Sequence, residues 1–570
     1  WLLLTLMIIA SITEIISVGA VLPFLGVLTA PDQIYQHELM RPLNEILNIT
    51  SSDQLLLPLT IVFILAALLA GTLRLLLLYV MTRLSYATGA DLSINIYRRT
   101  LYQEYAVHVS RNSSEVINGI ISKTGVVIGG VITPVLTLVS AIITMIAILG
   151  TIFVIDTAVA LTASLGFGTL YFIVIRYTKK QLRENSQIIA DQSTQMIKSL
   201  QEGLGGIRDV LIDASQPFYC NLYRNADLPL RRASGNNAFI KQSPRYAMEA
   251  VGITLIATIA YTMTLQDGGL TTAIPVLGAL ALGAQRLLPV LQKAYAAYSG
   301  LKGSHASLKD VLDLLEQPLP HYANQTAVTP LPFSQEIQLK NLSFHYAVKD
   351  TEEISWVLKN INLKLTKGTR IGFIGITGSG KSTLLDIIMG LLPVTGGEFT
   401  VDNQPITAEN KRAWQAHIAH VPQNIYLSDS TIEENIAFGI PQAKIDHQRV
   451  EEVVKQAQIA ELIEGWGDGY QTFVGERGIR LSGGQRQRIG IARALYKQAD
   501  VLIFDEATSA LDHETEQSVM QAIESLNKDL TILIIAHRLT TLKGCDTIVK
   551  LDSNHTIHTG TYQEIIDAEV

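Results

Sequence analysis

Six apolar runs fill most of the first 300 residues, at roughly 1–30, 55–84, 126–155, 157–177, 246–265 and 270–295. A helix crosses a bilayer with about 20 apolar residues. Each run is therefore long enough to span, and the first part of the chain, 1–315, is expected to be a six-span α-helical membrane domain. Composition then changes. The stretch PLPHYANQTAVTPLPF, between Glu316 and Gln335, has neither helical nor strand periodicity and reads as a linker over 316–335, ahead of a second domain over 336–570. On length alone, 570 residues would have held three or four soluble domains.

Basic residues orient the spans. The segment from Arg83 to Lys123 carries five Lys/Arg and that from Arg176 to Arg245 carries eleven. The loop 29–54 has only Arg41, and the turns near Asp156 and Asp267 have none. Both long basic loops are thus expected on the cytoplasmic side of the cell (inner) membrane together with the second domain, which makes this a multi-pass protein. Their helical composition suggests spans that continue beyond the bilayer. The tips, near His108–Ser114 and Ala214–Tyr219, are expected to touch the second domain; the alternative is that they are merely solvated loops.

The second domain carries GITGSGKST, Gly375 to Thr383, between an expected strand at 370–374 and an expected helix at 382–389, the context a phosphate loop requires. Its candidate nucleotide contacts are Gly375, Thr377, Gly378, Ser379, Gly380, Lys381, Ser382 and Thr383. Gly378 and Gly380 let backbone N–H groups approach phosphates, and the helix N-terminus adds its partial positive charge. Lys381 bridges phosphates and Ser382 is a ligand for Mg2+. The apolar strand Val501 to Phe504 ends in Asp505, placed to hold Mg2+ through water, and Glu506 follows as the candidate general base for an attacking water. A lone Asp-Glu or a lone His after an apolar strand is structural more often than catalytic; it is the joint spacing with the other motifs that argues for chemistry.

From Leu481 the chain reads LSGGQRQRIGIARAL, and LSGGQ resembles the signature of the ATP-binding cassette family. Ser482, Gly483, Gly484 and Gln485 stand at an expected helix start, again suited to a phosphate. The resemblance implies that the signature of one subunit closes over ATP held by the phosphate loop of another, so one cassette implies a homodimer. It also implies roles for single residues. His537, after an expected strand at 533–536, resembles the switch histidine that senses the γ-phosphate. Gln423 resembles the loop glutamine that contacts Mg2+, Asp512 closes the loop between subunits, and Tyr346 matches the aromatic on which adenine stacks. For Tyr346, beside Phe344 and His345, the alternative is a strand tyrosine that only packs. The run TFVGERG, Thr472 to Gly478, resembles the cross-linking loop of cassette exporters. The implied fold is the type IV exporter, a six-span helical domain followed by an α/β P-loop nucleotide-binding domain, with ATP and Mg2+ as cofactors.

Charges inside spans are expensive and usually functional. Arg74 lies deep in the second run, Arg245 opens the fifth and Arg286 sits inside the sixth. Three permanent cations near a shared cavity suit an anion, phosphate best. The alternative is that Glu14 or Glu249 pairs with an arginine as a structural bridge and that Arg245 snorkels to the interface. Between the first two spans, Leu39, Met40, Leu43, Ile46 and Leu47 recur at helical spacing, an amphipathic stretch suited to the outer membrane surface or to packing as a surface segment. An outer amphipathic helix with basic cavity residues resembles the PglK-type flippases of lipid-linked oligosaccharides. That resemblance implies that Arg74, Arg245 and Arg286 attract an anionic, pyrophosphate-linked glycolipid. An exporter of peptides, lipids or drugs is the alternative.

The net charge of −7 averages two unlike halves. No basic stripe with interleaved aromatics points to nucleic acid. Cys220 and Cys545 both fall on the expected cytoplasmic side, which argues against a disulfide, and they make no metal set. Asn48-Ile49-Thr50 fits a glycosylation triplet that arises often by chance. The apolar start at Trp1 suggests that a natural N-terminal segment precedes it.

Overall fold

The computed structural model describes residues 1–19, 24, 27, 32, 35, 51–155, 157–264, 269–325, 328–346, 355–506, 513–524, 529–536, 539–552 and 556–567. They form two compact units, Trp1–Gln103 with Val107–Leu319, and Glu104–Ala106 with Pro320–Val570.

The first unit is helical. Its six long helices are α1 (Leu2–Gly19), α2 (Leu56–Leu101), α3 (Thr133–Ile155), α4 (Thr157–Gly205), α5 (Gln216–Thr264) and α6 (Gly269–Gly303). At 1.5 Å per residue the 46 residues of α2 extend about 70 Å, more than twice a hydrocarbon core. The expectation of spans continuing past the bilayer therefore holds for α2, and α4 and α5, at 49 residues each, are longer still. Leu57, Leu65, Leu68, Leu75 and Leu78 of α2 are exposed. A helix with that much bare apolar surface is soluble in lipid rather than in water. The basic loops end in turns: helix Ser113–Asn118 is capped by Asn112, whose side chain accepts from Ser114 N, and Ala214 takes φ 50° just before α5. The amphipathic stretch 36–50 lies outside the described residues.

Polar residues tie the long helices together below the apolar zone. Asn118 Nδ2 donates to Ser193 Oγ and Thr194 Oγ1, both at 2.9 Å, and Asn185 Nδ2 donates to Asn237 Oδ1 at 2.8 Å. Lys123, itself buried, reaches Asp310 of α7 (His305–Leu315) at 2.5 Å. A cation buried to this extent is tolerated only when paired.

The second unit is built on two sheets. An antiparallel sheet orders β1 (Glu336–Phe344), β2 (Leu358–Thr366), β4 (Gly396–Val401) and β5 (Gln404–Pro405) as β2-β1-β4-β5. The other joins β3 (Arg370–Gly375), β6 (Ile418–Val421), β7 (Val501–Asp505), β8 (Thr531–Ile535), β9 (Thr547–Leu551) and β10 (Ile557–Gly560) as β10-β9-β3-β8-β7-β6. Its strands β9, β3, β8, β7 and β6 are parallel. β8 is buried along its whole length, as a strand covered on both faces must be. One face, with Phe373, Ile503 and Leu533, packs on α8 (Lys381–Ile388) and the antiparallel sheet. The other, with Phe504, Ile532 and Ile534, packs with residues of α9 (Ile432–Ile436), α10 (His447–Gln456) and α11 (Gly483–Tyr496).

The strand bounds differ slightly from the sequence reading. β3 keeps Gly375 because it pairs with Leu551 of β9. β8 begins at Thr531, which pairs with Val501, and ends at Ile535 opposite Asp505.

Candidate active site

Parallel pairing decides where the chemistry gathers. With Arg370 opposite Ile532, Val501 opposite Thr531 and Ile418 opposite Val501, the carboxyl ends of β3, β6, β7 and β8 lie along one edge of the sheet. Open α/β sheets bind ligands at that edge. Gly375 closes β3, Gln423 stands two residues beyond β6, and Asp505 closes β7 with Glu506 next in the chain. His537 follows β8 by two residues, but it and Asp512 lie outside the described residues.

The phosphate loop is shaped by glycine. Gly375 takes φ 148° and a Cβ there would stand 2.4 Å from Leu551 O; Gly380 takes φ 96° and its Cβ would meet Val357 O at 3.0 Å. Neither position admits a side chain without moving backbone. Gly380 is the N-cap of α8, so the helix starts at Lys381, one residue earlier than the sequence suggests. Lys381 Nζ donates to Gly375 O at 2.7 Å and to Ile376 O at 3.0 Å, which holds the ammonium at the loop. Ser379 is buried with no hydrogen-bond partner for its hydroxyl among the described residues. Tyr346 is half-exposed; its hydroxyl lies 3.3 Å from Thr383 Oγ1 and its ring sits edge-on to Phe344. The residue expected to stack adenine is thus joined to the helix of the phosphate loop.

Gln423 Nε2 donates to Glu506 Oε2 at 2.6 Å, which joins two residues expected to share catalysis. Glu506 is held at φ 51°, a left-handed conformation costly for a side-chain-bearing residue, while its N–H donates to Ile535 O at 3.1 Å. That bond fastens the turn after β7 to β8. The oxygen donors Ser382, Gln423 and Asp505, beside a cradle that a Cβ would fill, suit a hard cation carried with phosphates. Mg2+ bound there would neutralise charge developing on the phosphates.

The signature is organised as a helix start. Ser482 caps α11: its Oγ accepts from Gln485 N at 3.2 Å, and Gln485 Oε1 accepts from Ser482 N at 2.8 Å. Among the described residues no hydrogen bond links Ser482, Gly483, Gly484 or Gln485 to the phosphate loop.

Three residues that the motif reading missed stand out. Asp386 of α8 has its carboxyl pushed up to about 6 by burial and then by the charge of Asp505. Nothing around position 386 signals this, because the second carboxylate comes from a strand more than a hundred residues away. Burial also pulls Lys381 below the usual lysine value, although Glu506 and Asp505 oppose it. His420 of β6 is pulled down to about 4 by burial, and its Nε2 has no partner among the described residues. Arg493 of α11 donates from Nε to Asn435 O at 2.8 Å and from Nη1 to Tyr426 O at 2.9 Å, and its guanidinium lies over the Phe438 ring. It fastens the signature helix to the segment that follows Gln423; the run of arginines in LSGGQRQRIGIARAL hid which one makes these contacts.

In the first unit, Arg74 of α2 is ion-paired with Glu14 of α1, and Arg245 with Glu249 one turn along α5 at 2.8 Å. Both pairs are those the structural-bridge alternative named. Arg286 lies on α6, and its side chain is outside the described set.

Residues 358–509 match the family model described as ABC transporter, and residues 4–273 that described as ABC transporter transmembrane region. Over 410 residues, 70% of this chain and 67% of the relative, it is 30% identical to the ATP-dependent lipid A-core flippase of Alkalilimnicola ehrlichii. The chain belongs to the ABC transporters. A lipid A-core flippase of Cupriavidus metallidurans is 27% identical over 86% of this chain and 81% of its own length. The putative multidrug export ATP-binding/permease protein YgaD of Bacillus subtilis is 31% identical over 70% of this chain and 68% of its own length. The fold of a bacterial Atm1-family ABC exporter solved with ATP bound superposes with a TM-score of 0.78 at 22% identity, covering 97% of this chain and 96% of that one. This ABC transporter is an exporter half-transporter, a membrane domain followed by a nucleotide-binding domain, in which ATP hydrolysis is coupled to transport.

Proposed function

We propose that the exporter works as a homodimer that flips an anionic glycolipid, of the lipid-linked oligosaccharide or lipid A-core class, between membrane leaflets. The observation that carries the cargo is a permanent cation, Arg74, kept among Leu73, Leu75, Leu76, Leu77 and Leu78 in the middle of a span. A guanidinium there needs an anion; Glu14 supplies one within the chain, and the 44% exposed arginine still offers a phosphate a two-pronged approach. Arg245 and Arg286 are proposed to share that task. Relatives with lipid A-core in their names support the same class. The likeness to a putative multidrug exporter favours a second reading, export of drugs or peptides.

ATP is proposed to bind with adenine on Tyr346 and phosphates in the loop Gly375–Thr383, while Ser482, Gly483, Gly484 and Gln485 of the partner close over it. Ser382, Gln423 and Asp505 would hold Mg2+. Glu506 takes the proton of the attacking water, steered by its bond to Gln423, and His537 senses the γ-phosphate. Closure turns the cavity outward and hydrolysis resets it. The Lys/Arg-rich loops support a cassette on the cytoplasmic side.

Reconstitution in proteoliposomes tests this reading. ATP-dependent movement of a labelled polyprenyl-pyrophosphate oligosaccharide or of lipid A between leaflets is expected for the wild type and not for Glu506→Gln. Wild-type ATPase with no movement of either lipid would transfer the proposal to drug or peptide export.

A further inference from the structure

Residues Met7 and Ala10 of α1 share an apolar cluster with Leu77 and Met81 of α2. About one turn further along each helix, Glu14 meets Arg74. The two side chains are unequal: the arginine is 44% exposed and the carboxylate 14%. The covered partner is thus the acid, and the cation has an open side from which a second anion can approach.

We infer that Glu14 is a specificity-determining positioning residue, an internal anion that occupies Arg74 until a phosphomonoester or pyrophosphate headgroup displaces it. The inference rests on the anionic-lipid reading above and deepens it. A bare guanidinium facing lipid would be filled by the phosphodiester groups of ordinary membrane phospholipids, which are abundant and singly charged. A tethered carboxylate competes at the high effective concentration of an intramolecular partner. It holds off a singly charged diester, yet yields to a group that carries up to two charges and more acceptor oxygens. Displacement parts the covered Glu14 from Arg74, and separating charges inside a span is costly. Cargo capture therefore weakens the pair that joins α1 to α2, and in this way headgroup recognition is linked to helix movement. Arg245 differs, because Glu249 is its neighbour on the same helix and both are well exposed.

The test uses the full-length protein in phosphatidylcholine nanodiscs and reads ATPase stimulation by bis-phosphorylated lipid A, with phosphatidylglycerol as diester competitor. In the wild type, lipid A is expected to stimulate and phosphatidylglycerol to compete poorly. Glu14→Gln should lower the half-saturating lipid A concentration about fivefold and let phosphatidylglycerol compete. An unchanged response in a folded Glu14→Gln protein overturns the inference while leaving the anionic-lipid reading standing. A wild type that no phosphomonoester lipid stimulates overturns both. If Glu14→Gln does not assemble, Glu14→Asp decides: it keeps a carboxylate on a shorter reach, so the inference predicts a lower half-saturating lipid A concentration and partial competition by phosphatidylglycerol, and an unchanged response overturns it.

Discussion

The amide of Gln423 and the carboxylate of Glu506 meet at 2.6 Å across the ends of β6 and β7. Gln423 lies between β6 and the loop carrying Tyr426, whose carbonyl accepts from Arg493 of α11, so one hydrogen bond joins that loop to Glu506.

Glu506→Gln is expected to retain ATP binding and lower kcat by about 10²–10⁴, the usual worth of a positioned base. Gln423→Ala should cost about one to two orders of magnitude in kcat through misplacement of Glu506. Single-turnover hydrolysis with a separate nucleotide-binding assay checks both. Turnover near wild type for Glu506→Gln would remove it as the base.

Mixed dimers test the shared site. Pairing a Ser482→Ala copy with a Lys381→Ala copy places both lesions in one composite site if the signature serves the partner's phosphate loop, and leaves the other site whole. Single-turnover hydrolysis by one site is the expected result. Damage to both sites would mean that each copy serves itself. Thermal melting of Ser482→Ala alone should report about 1 kcal/mol lost with the helix cap.

Asp386 gives a pH signature. Its folded-state value of about 6 lies above the ordinary carboxylate value of 3.8. Its contribution to stability is therefore present in full below about pH 4 and is lost as pH rises through 6. Asp386→Asn should stabilise nucleotide-free protein at pH 7.5 by on the order of 1 kcal/mol once partial exposure is discounted, read as a raised Tm, and change little near pH 4. Equal effects at both pH values would show that the carboxyl does not titrate in this way.

His420 works in the opposite direction. Its folded-state value of about 4 lies below the ordinary imidazole value of 6.5, so stability is fully present above pH 6.5 and is lost as pH falls to 4. His420→Leu should flatten that part of the stability–pH curve by up to about 3 kcal/mol. Urea unfolding at several pH values gives the comparison, and a curve as steep as the wild type's would reject the assignment.

Much of the site was legible because local chemistry imposes it. A phosphate loop needs glycine where backbone must approach phosphate, and the φ values of Gly375, Gly378 and Gly380 bear that necessity. A helix cap needs a short hydroxyl, and Ser482 supplies it. The apolar runs likewise announced spans, since lipid solvates only long apolar helices.

What the sequence by itself determined, then, was the set of local devices and their order: spans, phosphate loop, signature, Asp-Glu pair. Only the tertiary structure decided which of them touch. Parallel register brings Gln423 to Glu506, the packing of α8 on the sheet brings Asp386 near Asp505, and helix packing sets Glu14 against Arg74. The reason is physical: a glycine's φ or a cap depends on neighbours in the chain, whereas a pair's charge and a buried group's pKa depend on distances between segments that no local pattern encodes.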